Sequence, residues 1–222
     1  VPKSWQLLLG IVVNGFLVSL PLLWVKVGLD VYFSHPATWL VYLLLSVFCC
    51  AESYASQQLT YQRSNRAEKS GLPYLMGIIV LLVFWLCIYD SAKYLPANSV
   101  QILCCSVAVI AGVILRFLSI KHLNIYFLSH ISCIDKHRLI TSGVYSIVRH
   151  PSELGLLLIC SGLAIFTSSV SAIILTAVLV FLSLYRIRLE DAMLQKMFPQ
   201  QFSNYAGSTR GLIPGLPIRA RS

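Results

Sequence analysis

The side chains best placed for chemistry lie between His137 and Gly155, in the stretch HRLITSGVYSIVRHPSELG. It offers two histidines, two arginines and one glutamate, types that bind charged groups and carry protons. The pair His150-Pro151 has a definite backbone consequence. The residue before proline is pushed out of the α region, and proline itself suits the first position of a helix. A helix is therefore expected to start at Pro151, leaving its first N–H groups unpaired as an anion site. Glu153 falls in the first turn, where the helix dipole tolerates a carboxylate. Further on, Arg186 and Glu190 stand four apart, so they share one helix face and can pair. Other chemistries find little support. The five histidines include no HxH or HxxxH pair, and the seven cysteines no CxxC, so neither a metal site nor a disulfide framework is expected. No GxGxxG follows a strand pattern, which argues against a Rossmann nucleotide site.

The elements that must position these groups are membrane helices. Apolar residues make up 57% of the 222 residues and charged residues only 11%, against about 25% charged in a soluble domain. Mean hydropathy is +0.77, and the apolar residues come in long runs. The first, Leu7 to Val27, is longer than a signal-peptide core and suits a span. Spans are expected at Trp5–Val27, Ala37–Tyr54, Leu72–Tyr89 and Ser99–Ile120. Two shorter stretches follow, Leu154–Phe166 and Val170–Tyr185, separated by Thr167-Ser168-Ser169. Each covers only about 20–24 Å of a core about 30 Å thick, so a tight hairpin entering and leaving on one side is expected. The fold class is thus an all-α integral membrane protein with about five to six transmembrane helices, including a C-terminal helical hairpin. Residues 1–120 form four N-terminal spans, and residues 121–222 the chemical region.

Charge placement orients the chain. With this topology, fourteen Lys and Arg fall on the side of the N-terminus and two, Lys26 and Lys93, on the other. By the positive-inside rule the first side is cytoplasmic. The same bias explains the net charge of +9 and leaves no soluble basic domain for nucleic acid. The segment Lys121–His150 is then a long cytoplasmic connection. It carries residues able to pack, among them Tyr126, Phe127, Leu139, Val144 and Tyr145, so it is expected to fold against the membrane domain. Arg149 reads as a snorkelling boundary charge. Beyond Arg188, Leu194, Met197, Phe198, Phe202 and Tyr205 continue an apolar stripe that Pro199 breaks or restarts. That stripe suits an interfacial amphipathic segment or a cap on the polar connection.

Taken together, Asn124, then His137-x-Leu139-Ile140-Thr141-Ser142-Gly143-Val144-Tyr145, then Arg149-His150-Pro151-Ser152-x-x-Gly155, resemble the isoprenylcysteine carboxyl methyltransferase family. Arg186…Glu190-Asp191, Phe198-x-x-x-Phe202-x-x-Tyr205 and Gly211-Leu212-Ile213-Pro214 are similar to that family's C-terminal segment. The resemblance covers about Asn124 to Pro217; the first four spans match only in kind. It implies S-adenosyl-L-methionine as methyl donor, which makes the connection before Pro151 a cytoplasmic cofactor-binding segment. It also implies prenylated protein C-termini or prenylcysteine as acceptor, with membrane lipid around the site. The cofactor would touch His130, His137, Arg138, Leu139, Ile140, Tyr145, His150, Pro151, Ser152, Glu153 and Glu190. Arg186 would face the acceptor carboxylate, with Asn124 on the substrate side and Arg186 and Glu190 as the catalytic pair. The chain would be a multi-pass protein of the endoplasmic reticulum membrane in a eukaryote, or of the plasma membrane otherwise, with the active site on the cytoplasmic face.

Three departures stand out. Glu153 replaces a usual aromatic residue, and can add a cofactor contact, repel the cofactor carboxylate or signal a changed substrate. Asp191 replaces a more usual Glu, and Ile125 a Phe. Two other functions stay open. N-methylation of a phospholipid headgroup would need a carboxylate base, for which Glu153 or Asp191 would serve. A non-catalytic membrane scaffold would keep the fold without the cofactor.

Overall fold

The computed structural model describes residues 71–94, 99–123 and 139–212, with scattered positions before residue 51. The expected spans Trp5–Val27 and Ala37–Tyr54 fall largely outside the described residues, as do Asn124, His130, His137 and Arg138.

Among the described residues from 71 onward, five α-helices follow one another: α1 (Leu72–Tyr94), α2 (Ser99–Leu123), α3 (Pro151–Thr167), α4 (Val170–Met197) and α5 (Pro199–Ser208). A short 3-10 turn, Gly143–Ser146, precedes α3. Among the described residues there is no strand, only an isolated parallel bridge between Val148 and Arg210. Segments Leu72–Asp90, Ser99–Leu123 and Val170–Met197 are each long and apolar enough to cross a membrane, and α3 is a shorter apolar helix. The protein is an all-helical integral membrane protein with several spans, as the composition implies.

The hairpin forms where it was expected. Helix α3 starts at Pro151 with His150 as its N-cap. It ends at Thr167, and Ser168 takes the left-handed conformation (φ 50°) that turns the chain. Ser169 caps α4 by accepting from the Ala172 N–H at 3.3 Å. Gln101 at the start of α2 donates to the Ser168 hydroxyl at 2.6 Å, tying the hairpin tip to α2.

Helix α4 carries the apolar stretch on past Tyr185, as the shared face of Arg186 and Glu190 requires, and runs 28 residues to Met197, about 42 Å, longer than its apolar stretch alone covers. The charges from Arg186 onward end an apolar run, not a helix. Arg, Leu, Glu, Ala and Lys are good helix formers, and nothing breaks the helix before Pro199. Helix α5 then restarts with Pro199 in its first turn.

Buried apolar side chains join the helices into one core, with Val83, Phe84 and Ile88 of α1, Cys105 and Val109 of α2, Ile159 and Leu163 of α3, and Leu179 and Ile187 of α4. The Phe48 and Phe84 rings meet edge to face, their centroids 5.3 Å apart. The closest helix contact is between α2 and α3, and glycine makes it possible. A Cβ at Gly155 would stand 2.6 Å from the Gly112 carbonyl oxygen, and one at Gly112 would stand 2.5 Å from the Gly155 oxygen. Gly162 repeats the approach against Ala108. Small residues at such crossings let backbones touch where lipid supplies no hydrophobic drive. Gly155→Ala is therefore expected to cost at least about 1–3 kcal/mol, read as a lower thermal midpoint in detergent. An unchanged midpoint would show that the crossing is looser than described.

Candidate active site

The site is built on the start of α3, the charged end of α4 and the cap formed by α5. The short segment before α3 is held by backbone bonds: the Arg149 N–H donates to the Arg210 carbonyl at 2.8 Å, and that of His150 to Gly211 at 3.1 Å. Pro151 keeps His150 out of the α region, at φ −123°, ψ 59°. Pro151 itself is fully buried.

Asp191 on α4 joins the two cationic side chains. One oxygen accepts from Arg149 Nη2 at 3.0 Å, and the other lies 2.9 Å from His150 Nε2. Arg149 also donates through Nη1 to the carbonyls of Ala206 (3.1 Å) and Thr209 (2.9 Å), at the end of α5. Its guanidinium lies 5.8 Å from the centroid of the Phe202 ring. Arg149 is thus a buried bracket between α4 and α5, its side chain 4% exposed. The expected snorkelling arginine is corrected: three acceptors inside the protein hold it better than the interface does.

On the other ring edge, His150 Nδ1 lies 3.7 Å from the Glu190 carboxylate. Burial alone would push the His150 pKa down, but the Asp191 hydrogen bond and the nearby Glu190 outweigh it and raise the value to about 9 from an ordinary 6.5. The imidazole is therefore a cation near neutral pH, with both N–H groups turned to carboxylates. Because the folded value is raised, the stability this cation contributes is complete below pH 6.5 and lost as pH rises through about 9. The thermal midpoint should fall across that window, and a His150→Asn variant should lack the step. A midpoint flat from pH 6.5 to 9 in the parent protein would contradict the charged imidazole.

A second ion pair lies one turn further into the hairpin. Glu153 of α3 meets Arg186 of α4, Oε1 to Nη1, at 3.2 Å. The Ser183 hydroxyl donates to Glu153 Oε2 at 3.0 Å. The Arg186 pairing expected along its own helix, with Glu190, is thus replaced by one across the hairpin. Facing helices bring Glu153 close in a buried setting, where a carboxylate needs a cation most. Arg186 Nε is buried without a partner among the described residues.

The remaining described residues frame this ladder. Ser152 accepts from Arg116 Nη1 through its hydroxyl (3.0 Å) and its carbonyl (3.3 Å), which fixes α3 to α2. Tyr145 is buried; burial, with Glu190 adding to it, pushes its phenol up and keeps it neutral. The Tyr205 hydroxyl donates to the Tyr145 carbonyl at 2.5 Å, so α5 caps the 3-10 turn. Of the two readings of this C-terminal stripe, Phe202 and Tyr205 take the cap, since both are buried. Leu139, with Tyr205 and Thr209, lines an open cleft of about 580 Å³. Ile140 follows it outside any helix and is half-buried.

Tyr145, His150, Pro151, Ser152, Glu153, Arg186 and Glu190 therefore converge on the facing ends of α3 and α4. Sequence reasoning missed the roles of Arg149, Ser183 and Arg116. For Ser183 a signal existed: it lies one turn before Arg186, on the face that also carries Glu190.

A helical membrane protein with this charged hairpin end is of a recognisable kind. Residues 102–196 match the isoprenylcysteine carboxyl methyltransferase (ICMT) family, from the first turn of α2 to the end of α4. The match supports a methyltransferase of the ICMT kind. The fold is similar to a solved structure of the eukaryotic intramembrane Ras methyltransferase ICMT, with a TM-score of 0.57 and 18% identity, over 92% of this chain and 75% of that one. No curated protein matches the chain.

Proposed function

We propose that the protein transfers a methyl group from S-adenosyl-L-methionine to the C-terminal carboxylate of a prenylated cysteine. The observation that supports this reading is the hairpin end itself, where Arg186 of α4 meets Glu153 of α3 and the neighbouring His150 lies against Glu190 and Asp191. The residues suit the cofactor. Glu190, a carboxylate beside His150 with its side chain 35% exposed, has the charge that suits an ammonium. The start of α3 fits a carboxylate. When bound, the cofactor supplies an electrophilic methyl on a sulfonium, which bonds to the acceptor oxygen while the electron pair of the broken C–S bond stays on sulfur.

The protein's own part is positioning. An acceptor carboxylate, which ordinarily titrates at about pH 3.5, is ionised at neutral pH, so no base is required. Arg186 orients it, His150 holds Glu190 and Asp191 in place, and Tyr145 packs beside them. Closing water out of such a site strengthens these contacts. The prenyl chain enters laterally from the bilayer, and the Lys/Arg bias puts the site on the cytoplasmic face, at the endoplasmic reticulum in a eukaryote.

N-methylation of a lipid amine needs a carboxylate free to take a proton. Both candidates are engaged, Glu153 by Arg186 and Ser183, and Asp191 by Arg149 and His150. Transfer decides between the two. Labelled cofactor should leave base-labile ester on a farnesylated cysteine; label confined to phosphatidylethanolamine would favour the amine reading.

A further inference from the structure

The geometry points to Glu153 as a built-in competitor for the acceptor carboxylate, which sets how strongly the site selects acceptors by charge. This rests on the carboxylate reading above. Arg186 is the cation assigned to the acceptor, yet it is already met by an internal carboxylate at 3.2 Å. That carboxylate is itself anchored, its second oxygen accepting from Ser183 at 3.0 Å. Both partners are largely withdrawn from water, with side chains 8% exposed for Glu153 and 16% for Arg186. At such burial the pair cannot be exchanged for solvent without cost.

The guanidinium is nonetheless not saturated. Glu153 meets it only at Nη1, and Nε is buried without a partner among the described residues. A planar fork favours a two-point grip on one carboxylate, so an arriving acceptor carboxylate gains a better contact than Glu153 now makes. It must first shift Glu153 off Nη1 or crowd a second negative charge beside it. Either step costs the acid and not a neutral acceptor of the same shape. Glu153 therefore lowers the preference for a free carboxylate, and Ser183 sets how firmly it does so.

The test compares N-acetyl-S-farnesylcysteine with its carboxamide, binding to the detergent-purified full chain. Glu153→Gln keeps the shape and the hydroxyl contact while removing the competing charge. It should raise the acid-over-amide affinity ratio about 10-fold. Because this change leaves Arg186 without its counter-ion and can cost folded protein, Ser183→Ala is the second variant. It keeps the ion pair and loosens its anchor, and should raise the same ratio about threefold. A ratio that stays constant or falls in both folded variants overturns the inference while the function stands, provided the parent protein methylates the acid. If the parent labels only a lipid amine, the function fails and the inference with it.

Discussion

Arg186→Ala is expected to lower kcat/KM for a prenylcysteine acid by about 10²–10³-fold, while binding of S-adenosyl-L-methionine changes little. The reason is positional. Arg186 is the cation on the α4 face opposite α3, and a fixed donor aimed at a reacting oxygen is worth most where water is excluded. Its removal also strands Glu153, a buried carboxylate that would then keep only Ser183. The change is therefore best made in a Glu153→Gln background as well, where no charge is left unpaired. Arg186→Lys should fall between, since an ammonium keeps the charge but loses the fork. Steady-state methyl transfer and equilibrium cofactor binding, measured on the same preparations, check this. Loss of cofactor binding together with turnover would move Arg186 out of the acceptor role.

Asp191→Ala is expected to be the most damaging single change to stability, by about 3–5 kcal/mol. Asp191 is bonded to two buried cationic side chains, Arg149 at 3.0 Å and His150 at 2.9 Å. Without it, Arg149 keeps only the two carbonyls of the α5 end, and His150 keeps Glu190 at 3.7 Å. The link between α4 and the α5 cap then weakens, and Tyr145 loses part of its cover. The measurement is the thermal midpoint in detergent and the fraction of monodisperse protein. Asp191→Asn keeps the shape but not the charge and should be less severe. A midpoint unchanged in Asp191→Ala would mean that the bracket is not what holds the cap.

Much of this arrangement is legible in local sequence signals. Proline at 151 marks a helix start whatever surrounds it, and the polar triplet Thr167-Ser168-Ser169 marks a turn between apolar runs. Shared faces on one helix follow from spacing, which puts Arg186 and Glu190 together. What spacing cannot show is which helix lies opposite. Arg149 looks like a boundary charge because its acceptors come from Asp191, Ala206 and Thr209, 42 to 60 residues away. The Glu153–Arg186 pair is hidden for the same reason, since a neighbour one turn along the helix looks sufficient. The glycine contact between α2 and α3 depends on Gly112 and Gly155 facing each other, which neither run reveals by itself. Hydropathy ends the apolar run at Tyr185, but the shared face of Arg186 and Glu190 and the break at Pro199 mark where α4 itself ends.

The most direct test is label transfer from S-adenosyl-L-methionine to a matched pair of acceptors, a farnesylated cysteine and its carboxamide, by the purified chain. Methyl transfer to a carboxylate at Arg186 predicts label on the acid alone, released as methanol by mild base. Label on the amide as readily as on the acid, or on neither while the cofactor binds, would contradict it.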